Sequence, residues 1–174
     1  APPFGRVRVM ANALLDRVLE NRPSIGQIWN LLRTVPGGSR VFFKIIGTMA
    51  PYTGTIDCDV KRLETGHAEV VLRDSRRVRN HLDSVHAIAL MNLGEVSTGL
   101  TMLYTVDGVG RGIITNLSME YLKKARGNIT ATCDAEIPTR AGRHDVTLEA
   151  YLRDSSGEVV AKARAQWRVT IGKT

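Results

Sequence analysis

Cysteines, aromatic residues and long apolar runs are all scarce in this chain. Its 174 residues include two cysteines, Cys58 and Cys133, and no C-x-x-C pair. A disulfide framework and a thiolate metal site of the usual spacing are therefore excluded. Both cysteines lie in alternating, strand-like runs where buried free thiols are expected. That fits a reducing compartment, and a cytoplasmic location is the expectation. Aromatic residues make up only 5% of the chain, which argues against stacking on single-stranded nucleic acid. There is no low-complexity tract, internal repeat or long run of like charge to suggest disorder. The first residues, Ala1 to Arg8, already carry Arg6 and Arg8, so no signal peptide is expected. The longest nearly uncharged stretch, 85–105, contains His86, Asn92 and Glu95 and is rich in Ala, Gly, Ser and Thr. A transmembrane helix needs about 20 predominantly apolar residues, so this stretch reads as a helix buried in protein.

What is present is an ordinary globular composition, 43% apolar and 24% charged, with a net charge of +7. One domain with a proper core is expected. A basic surface can attract nucleic acid, anionic lipid or a phosphorylated small molecule.

Along the chain, Val7, Met10, Leu14, Val18 and Leu19 have helical spacing. Ser24 is placed to cap a second short helix through Leu32, and Pro36-Gly37-Gly38 forms a loop. Residues 40–49 favour helix over strand. From Thr55 the period becomes two. Ile56, Cys58 and Val60 form one strand, and Ala68, Val70 and Leu72 a second beyond the Thr65-Gly66 turn. The uncharged helix should begin near Asp83 or Ser84, with Asp83 as its N-cap. Four further runs follow Asp107-Gly108: Ile113 to Tyr121, Ile129 to Ile137, Val146 to Leu152, and Ala161 to Val169. Strands, a buried helix and more strands imply an α+β architecture in which a curved antiparallel sheet wraps a central helix.

Between Val85 and Thr105 the single formal charge is Glu95. A carboxylate in a buried helix is costly unless paired, protonated or used. The polar cluster from Asn80 to His86 sits where the helix begins, and free N–H groups at a helix start bind oxyanions. His86 and Glu95 are nine residues apart, roughly 13.5 Å of helical rise. They cannot both touch one reacting carbon. Either one of them works alone, or two chains with antiparallel helices share a site.

The loop N-H-x-x-S-V-H-A (Asn80 to Ala87), the small-residue helix running to N-L-G-E (Asn92 to Glu95) and the strand S-M-E-Y-L-K-K-A-R-G (Ser118 to Gly127) together resemble the hotdog-fold acyl-CoA thioesterases. The nearest branch is the phenylacetate-pathway type and its uncharacterised relatives. The resemblance implies a hotdog domain over 51–174, preceded by an N-terminal helical extension over 1–50. It implies hydrolysis of an acyl-CoA or acyl-carrier thioester, with the helix-opening N–H polarising the carbonyl. It places the loop Asn at Asn80, the helix-opening pair at His86 and Ala87, and the carboxylate, as general base or nucleophile, at Glu95. Ala87 departs from the family's usual Gly. The later Ser or Thr that some relatives use falls at Ile114, beside Thr115, so no role carries over. The resemblance also implies a homodimer or a dimer of dimers, with Glu95 supplied by the partner subunit. No cofactor or metal is implied beyond the coenzyme A of the substrate.

Each residue also has a plain reading. Glu95 could pair with Arg or Lys, Asn80 could serve its own turn, and His86 could cap or pack. Asn92 could bond across a dimer or internally. The basic residues Arg76, Arg77, Arg79, Lys123, Lys124 and Arg126 flank the motif. Arg79, Lys123, Lys124 and Arg126 are the candidate grips for coenzyme A phosphates, against a merely solvated face. Two rival functions remain. One is a hotdog hydratase or dehydratase using His81, fourteen residues before Glu95, although Leu-Asp-Ser follows His81 instead of Phe-Pro-Gly. The other is a non-catalytic acyl-CoA-binding or regulatory module, for which no basic recognition helix stands out. Neither a nucleic-acid partner nor a membrane span is expected. Arg6, Arg8 and Arg17 could bring the first helix to a membrane surface.

Overall fold

The computed structural model describes residues 23–172; the helix expected over 7–20 lies outside them. Ser24 does start a helix. Its hydroxyl accepts from the Gln27 N–H (3.2 Å) and Gln27 Oε1 accepts from the Ser24 N–H (3.0 Å). This reciprocal capping box opens α1 (Ile25–Leu32). The ambiguous apolar segment is helical, as α2 (Gly38–Met49). Trp29 and Phe42 meet edge to face, 5.2 Å between centroids, and join the same buried cluster as the strands.

Six strands follow: β1 (Cys58–Glu64), β2 (His67–Leu72), β3 (Gly110–Tyr121), β4 (Ile129–Asp134), β5 (Gly142–Arg153) and β6 (Val159–Ile171). They form one antiparallel sheet in the order β1-β2-β4-β5-β6-β3. Between β2 and β3 the chain crosses the sheet as α3 (Ala87–Thr105), which contacts every strand. A curved sheet wrapped around one central helix is the hotdog arrangement.

Two bulges break the simple alternation. One sits between Val60 and Arg62, so that Leu63 turns inward after Val60. The other sits between Ile114 and Asn116 and leaves Thr115 unpaired. This second bulge corrects the expected inward set of β3. Ile113 is 65% exposed, whereas Ile114, Leu117 and Met119 are half-buried. One extra residue reverses which side chains face the core on either side of it. Asp59, expected on the polar face of β1, is buried at 4% exposure and accepts from Arg73 Nε at 3.0 Å.

α3 is buried on nearly all sides: Leu90, Leu93, Val96, Leu100 and Met102 fill the core around it, and small or self-satisfied residues stand where the sheet comes closest. Ser97 and Thr98 donate to the Gly94 carbonyl, and Thr101 donates to that of Ser97. Their hydroxyls need no outside partner. A Cβ at Gly94 would lie 2.5 Å from Ala163 Cβ on β6, so helix and sheet meet there almost backbone to backbone. Gly94→Ala should therefore lower stability by about 1–3 kcal/mol through overpacking, despite a gain of about 1 kcal/mol in helix propensity. Urea unfolding checks this, and a midpoint equal to the wild type's would show that β6 yields freely.

Candidate functional site

The start of α3 is set by the loop before it. Asn80 Oδ1 accepts from the Leu82 N–H (2.9 Å), the Ser84 N–H (3.2 Å) and the Ser84 hydroxyl (3.1 Å). The Asn80 N–H donates to the Ser84 carbonyl at 2.8 Å. Asp83 adopts a left-handed conformation, φ 52°, which Asp tolerates better than most residues. Beyond this turn the chain stays extended, because the Val85 N–H donates to Ala125 O (2.8 Å) and the His86 N–H to Val78 O (2.7 Å).

The helix consequently opens at Ala87, with His86 as N-cap, and not near Asp83 or Ser84. The His86 ring accepts from the Ile88 N–H through Nδ1 at 3.1 Å, which places a proton on Nε2 in the neutral ring. Asp83 is not the cap. Its carboxylate meets Arg79 Nη1 at 2.9 Å.

Ala87 is the first helical residue, and its N–H has no acceptor among the described residues. Its carbonyl accepts from the Tyr121 hydroxyl at 3.0 Å. Tyr121 therefore ties β3 to the helix start. Alternation along the sequence puts Tyr121 in a strand, but no local pattern marks this contact, which depends on the register of β3 against β6.

Glu95 is half-buried, and its carboxylate has no ion pair or hydrogen bond among the described residues. Burial alone pushes its pKa above the ordinary carboxylate value. The pairing with Arg or Lys weighed in the sequence analysis is not seen. The carboxylate lies over Gly99. A Cβ there would sit 3.6 Å from Glu95 Oε1 and 3.4 Å from Cζ2 and Cη2 of the Trp167 ring. Trp167, whose buried Nε1 has no hydrogen-bond partner among the described residues, thus borders the acid. The strand pattern marked Trp167 only as core.

Asn92 is satisfied internally, donating through Nδ2 to Tyr52 O (3.1 Å) and Thr55 Oγ1 (3.3 Å). A cavity of about 200 Å³ opens against the helix start, lined in part by His86, Ile88, Ala89 and Asn92. Asn80 and Glu95 do not line it.

Two of the four expected phosphate grips are held by carboxylates. Arg79 is paired with Asp74 (2.7 Å) and Asp83 (2.9 Å), which raises its pKa and lowers that of Asp74. Lys123 is paired with Glu158. Arg126 Nε donates to the Asp83 carbonyl at 3.3 Å, and Lys124 makes no ion pair among the described residues.

Neither cysteine suits nucleophilic chemistry. Both are buried, with Cys133 pushed up to about 11 and Cys58 further. Among the described residues, no group of three or more His, Cys, Asp or Glu side chains could hold a metal ion. No described helix is long and apolar enough to cross a membrane.

A six-stranded sheet around a small-residue helix, with an acid on that helix, defines a hotdog-fold protein. The chain belongs to the family described as "Domain of unknown function (DUF4442)", whose model matches residues 38–169. No curated protein matches it. Among solved structures, a genomics target is 27% identical over 85% of this chain and 99% of its own, with a TM-score of 0.74. A protein of unknown function and probable thioesterase from Pseudomonas aeruginosa is 23% identical over 76% of this chain and 93% of its own (TM-score 0.66). The PaaI protein of the E. coli phenylacetic acid degradation operon is 17% identical over 73% and 86% (TM-score 0.59).

Burial makes Glu95 hold its proton more firmly in the folded chain than in the unfolded one. Between its unfolded and folded pKa values the folded chain binds more protons, so stability falls as pH rises through that window. Glu95→Gln removes this loss. Its thermal midpoint should exceed the wild type's at about pH 8 and approach it at about pH 4. A lower midpoint at pH 8 would mean that the charged carboxylate has a stabilising partner.

Proposed function

We propose that this protein hydrolyses acyl-CoA thioesters as a homodimer. The observation that carries the reading is the unpaired carboxylate of Glu95 on an otherwise uncharged, buried helix. A protein tolerates such a group when its basicity is put to use. Hotdog neighbours from Staphylococcus aureus, named a thioesterase enzyme, and from Pseudomonas aeruginosa, named a probable thioesterase, support the same reading.

In the proposed reaction the thioester carbonyl oxygen accepts from the Ala87 N–H, at the positive end of the α3 dipole. Glu95 of the partner subunit takes a proton from water as the water oxygen bonds to the carbonyl carbon. Collapse of the tetrahedral adduct breaks the C–S bond, and the proton passes from Glu95 to the departing thiolate. Raising a carboxylate toward neutral pH improves it as a base for this work. Asn80 acts through the loop, holding residues 80–84 so that the helix opens at Ala87.

Assembly through β3 supports the shared site. Among the described residues this 12-residue strand has no neighbour on its outer side, and its inward residues are only half-covered. Ile88, at the start of α3, is 51% exposed. Joining two β3 edges about a two-fold axis would remove both exposed edges and lay the two central helices antiparallel. A helix start would then face the partner's Glu95.

Release of thiol from a panel of acyl-CoA substrates tests the activity, and an enoyl-CoA in the same panel tests hydration. Glu95→Gln should abolish turnover and leave the fold intact; wild-type rates in that variant would remove Glu95 from the mechanism. Asn80→Ala should cost about 10–100-fold through misplacement of the helix start.

The shared site has its own test. Ala87→Pro removes the N–H at the first helical position, where proline is tolerated. His86 already has the extended backbone that a following proline requires, φ −64°, ψ 140°. Each variant alone should be inactive, whereas re-associated mixtures of Ala87→Pro and Glu95→Gln chains should recover about a quarter of wild-type activity through mixed dimers. Mixtures without activity would show that each site is built from one chain.

A further inference from the structure

A second cavity, of about 480 Å³, lies between α2 and the segment that leads into β1. Arg40, Lys44 and Thr48 enter its wall from one stripe of α2, four residues apart, and Arg77 faces it from the segment before α3. Its floor is closed by backbone: a Cβ at Gly47 would lie 2.8 Å from the Gly54 Cα. Three cations line the cavity against a single carboxylate, Asp57. Arg40 is shared loosely between Asp57 (3.5 Å) and Asp59 (3.6 Å), and Asp59 is already bonded to Arg73. Lys44 and Arg77 make no ion pair among the described residues. This contrasts with Arg79 and Lys123, whose charges are held by neighbouring carboxylates.

The position of the cavity matters as much as its charge. It shares Thr55, Ile56 and Arg77 with the smaller cavity at the start of α3. Apart from Arg77 and Arg79, the latter held by Asp74 and Asp83, the smaller cavity is lined by uncharged side chains, including Ile88, Ala89 and Asn92. A ligand along both would therefore present a neutral arm to the helix start and an anionic end to Lys44 and Arg77.

We infer that the cleft formed by Arg40, Lys44 and Arg77 holds the phosphate-bearing end of a coenzyme A thioester, with its neutral thiol arm running through the adjoining cavity to Ala87. The inference rests on the proposed hydrolysis and moves the phosphate grip from Arg79 and Lys123 to α2. Guanidinium and ammonium groups with no competing carboxylate are the better phosphate donors.

The test uses the full chain carrying Lys44→Gln and Arg77→Gln together, with Lys123→Gln as the comparison and thermal midpoints as the folding control. The readout is kcat/KM for an acyl-CoA divided by kcat/KM for the same acyl group on N-acetylcysteamine, which lacks phosphates. The double variant should lower this ratio about tenfold or more, as expected for charged hydrogen bonds, and should weaken the salt dependence of KM for the CoA substrate. Lys123→Gln should leave the ratio within about twofold. A ratio unchanged in the double variant, or lowered as much by Lys123→Gln, overturns the inference. Calorimetric titration with coenzyme A separates the two proposals. Binding weakened about tenfold by the double variant in a protein without turnover keeps the cleft and removes hydrolysis. Turnover with coenzyme A affinity unaffected by the double variant keeps hydrolysis and removes the cleft.

Discussion

The contact between Gly94 of α3 and Ala163 of β6 sets the terms for the rest of the molecule. A helix that touches every strand of a closely wrapped sheet has no room for a side chain at its closest approach and none for unpaired polar groups where it is buried. The hydroxyls of Ser97, Thr98 and Thr101 meet the second demand by donating to carbonyls one turn back. Glu95 fails it, and that failure is informative. Its carboxylate lies over Gly99, beside the Trp167 ring, where the missing side chain leaves space but no described residue supplies a positive charge. Partial burial against this packing raises the basicity of the acid.

The loop from Asn80 to Ser84 is the second constraint. One amide oxygen collects three donors, and two backbone bonds then hold Val85 and His86 extended. The helix must wait until Ala87 to begin, and its first N–H groups are left to the His86 ring and to whatever binds there. Asp83, which capping statistics favour, is drawn away by Arg79. Competition between a turn and a helix for the same short segment decides where the helix starts.

Charge on this protein is more organised than a net value of +7 conveys. Around the loop, Arg79 answers Asp74 and Asp83, and Lys123 answers Glu158. These pairs leave little positive potential for a ligand. The stripe of α2 that carries Arg40 and Lys44 does the opposite, because only Asp57 opposes it in the cavity wall. Basic residues adjacent in sequence to the motif and basic residues adjacent in space to the helix start are thus different sets.

Periodicity and end signals are local, and the elements follow from them: the Ser24 cap, the strands from Cys58 onward and the uncharged central helix are all legible in the sequence. The order of motifs along the chain made the hotdog architecture legible too, and the cost of burying one carboxylate singled out Glu95. The tertiary structure alone decided the start of α3, the inward set of β3, the bond from Tyr121 to the Ala87 carbonyl and the neighbours of Glu95. Each depends on register, on a bulge at Thr115 or on which carboxylate reaches which cation. Those are competitions between residues far apart in the chain, and they are settled by geometry that no stretch of sequence contains by itself.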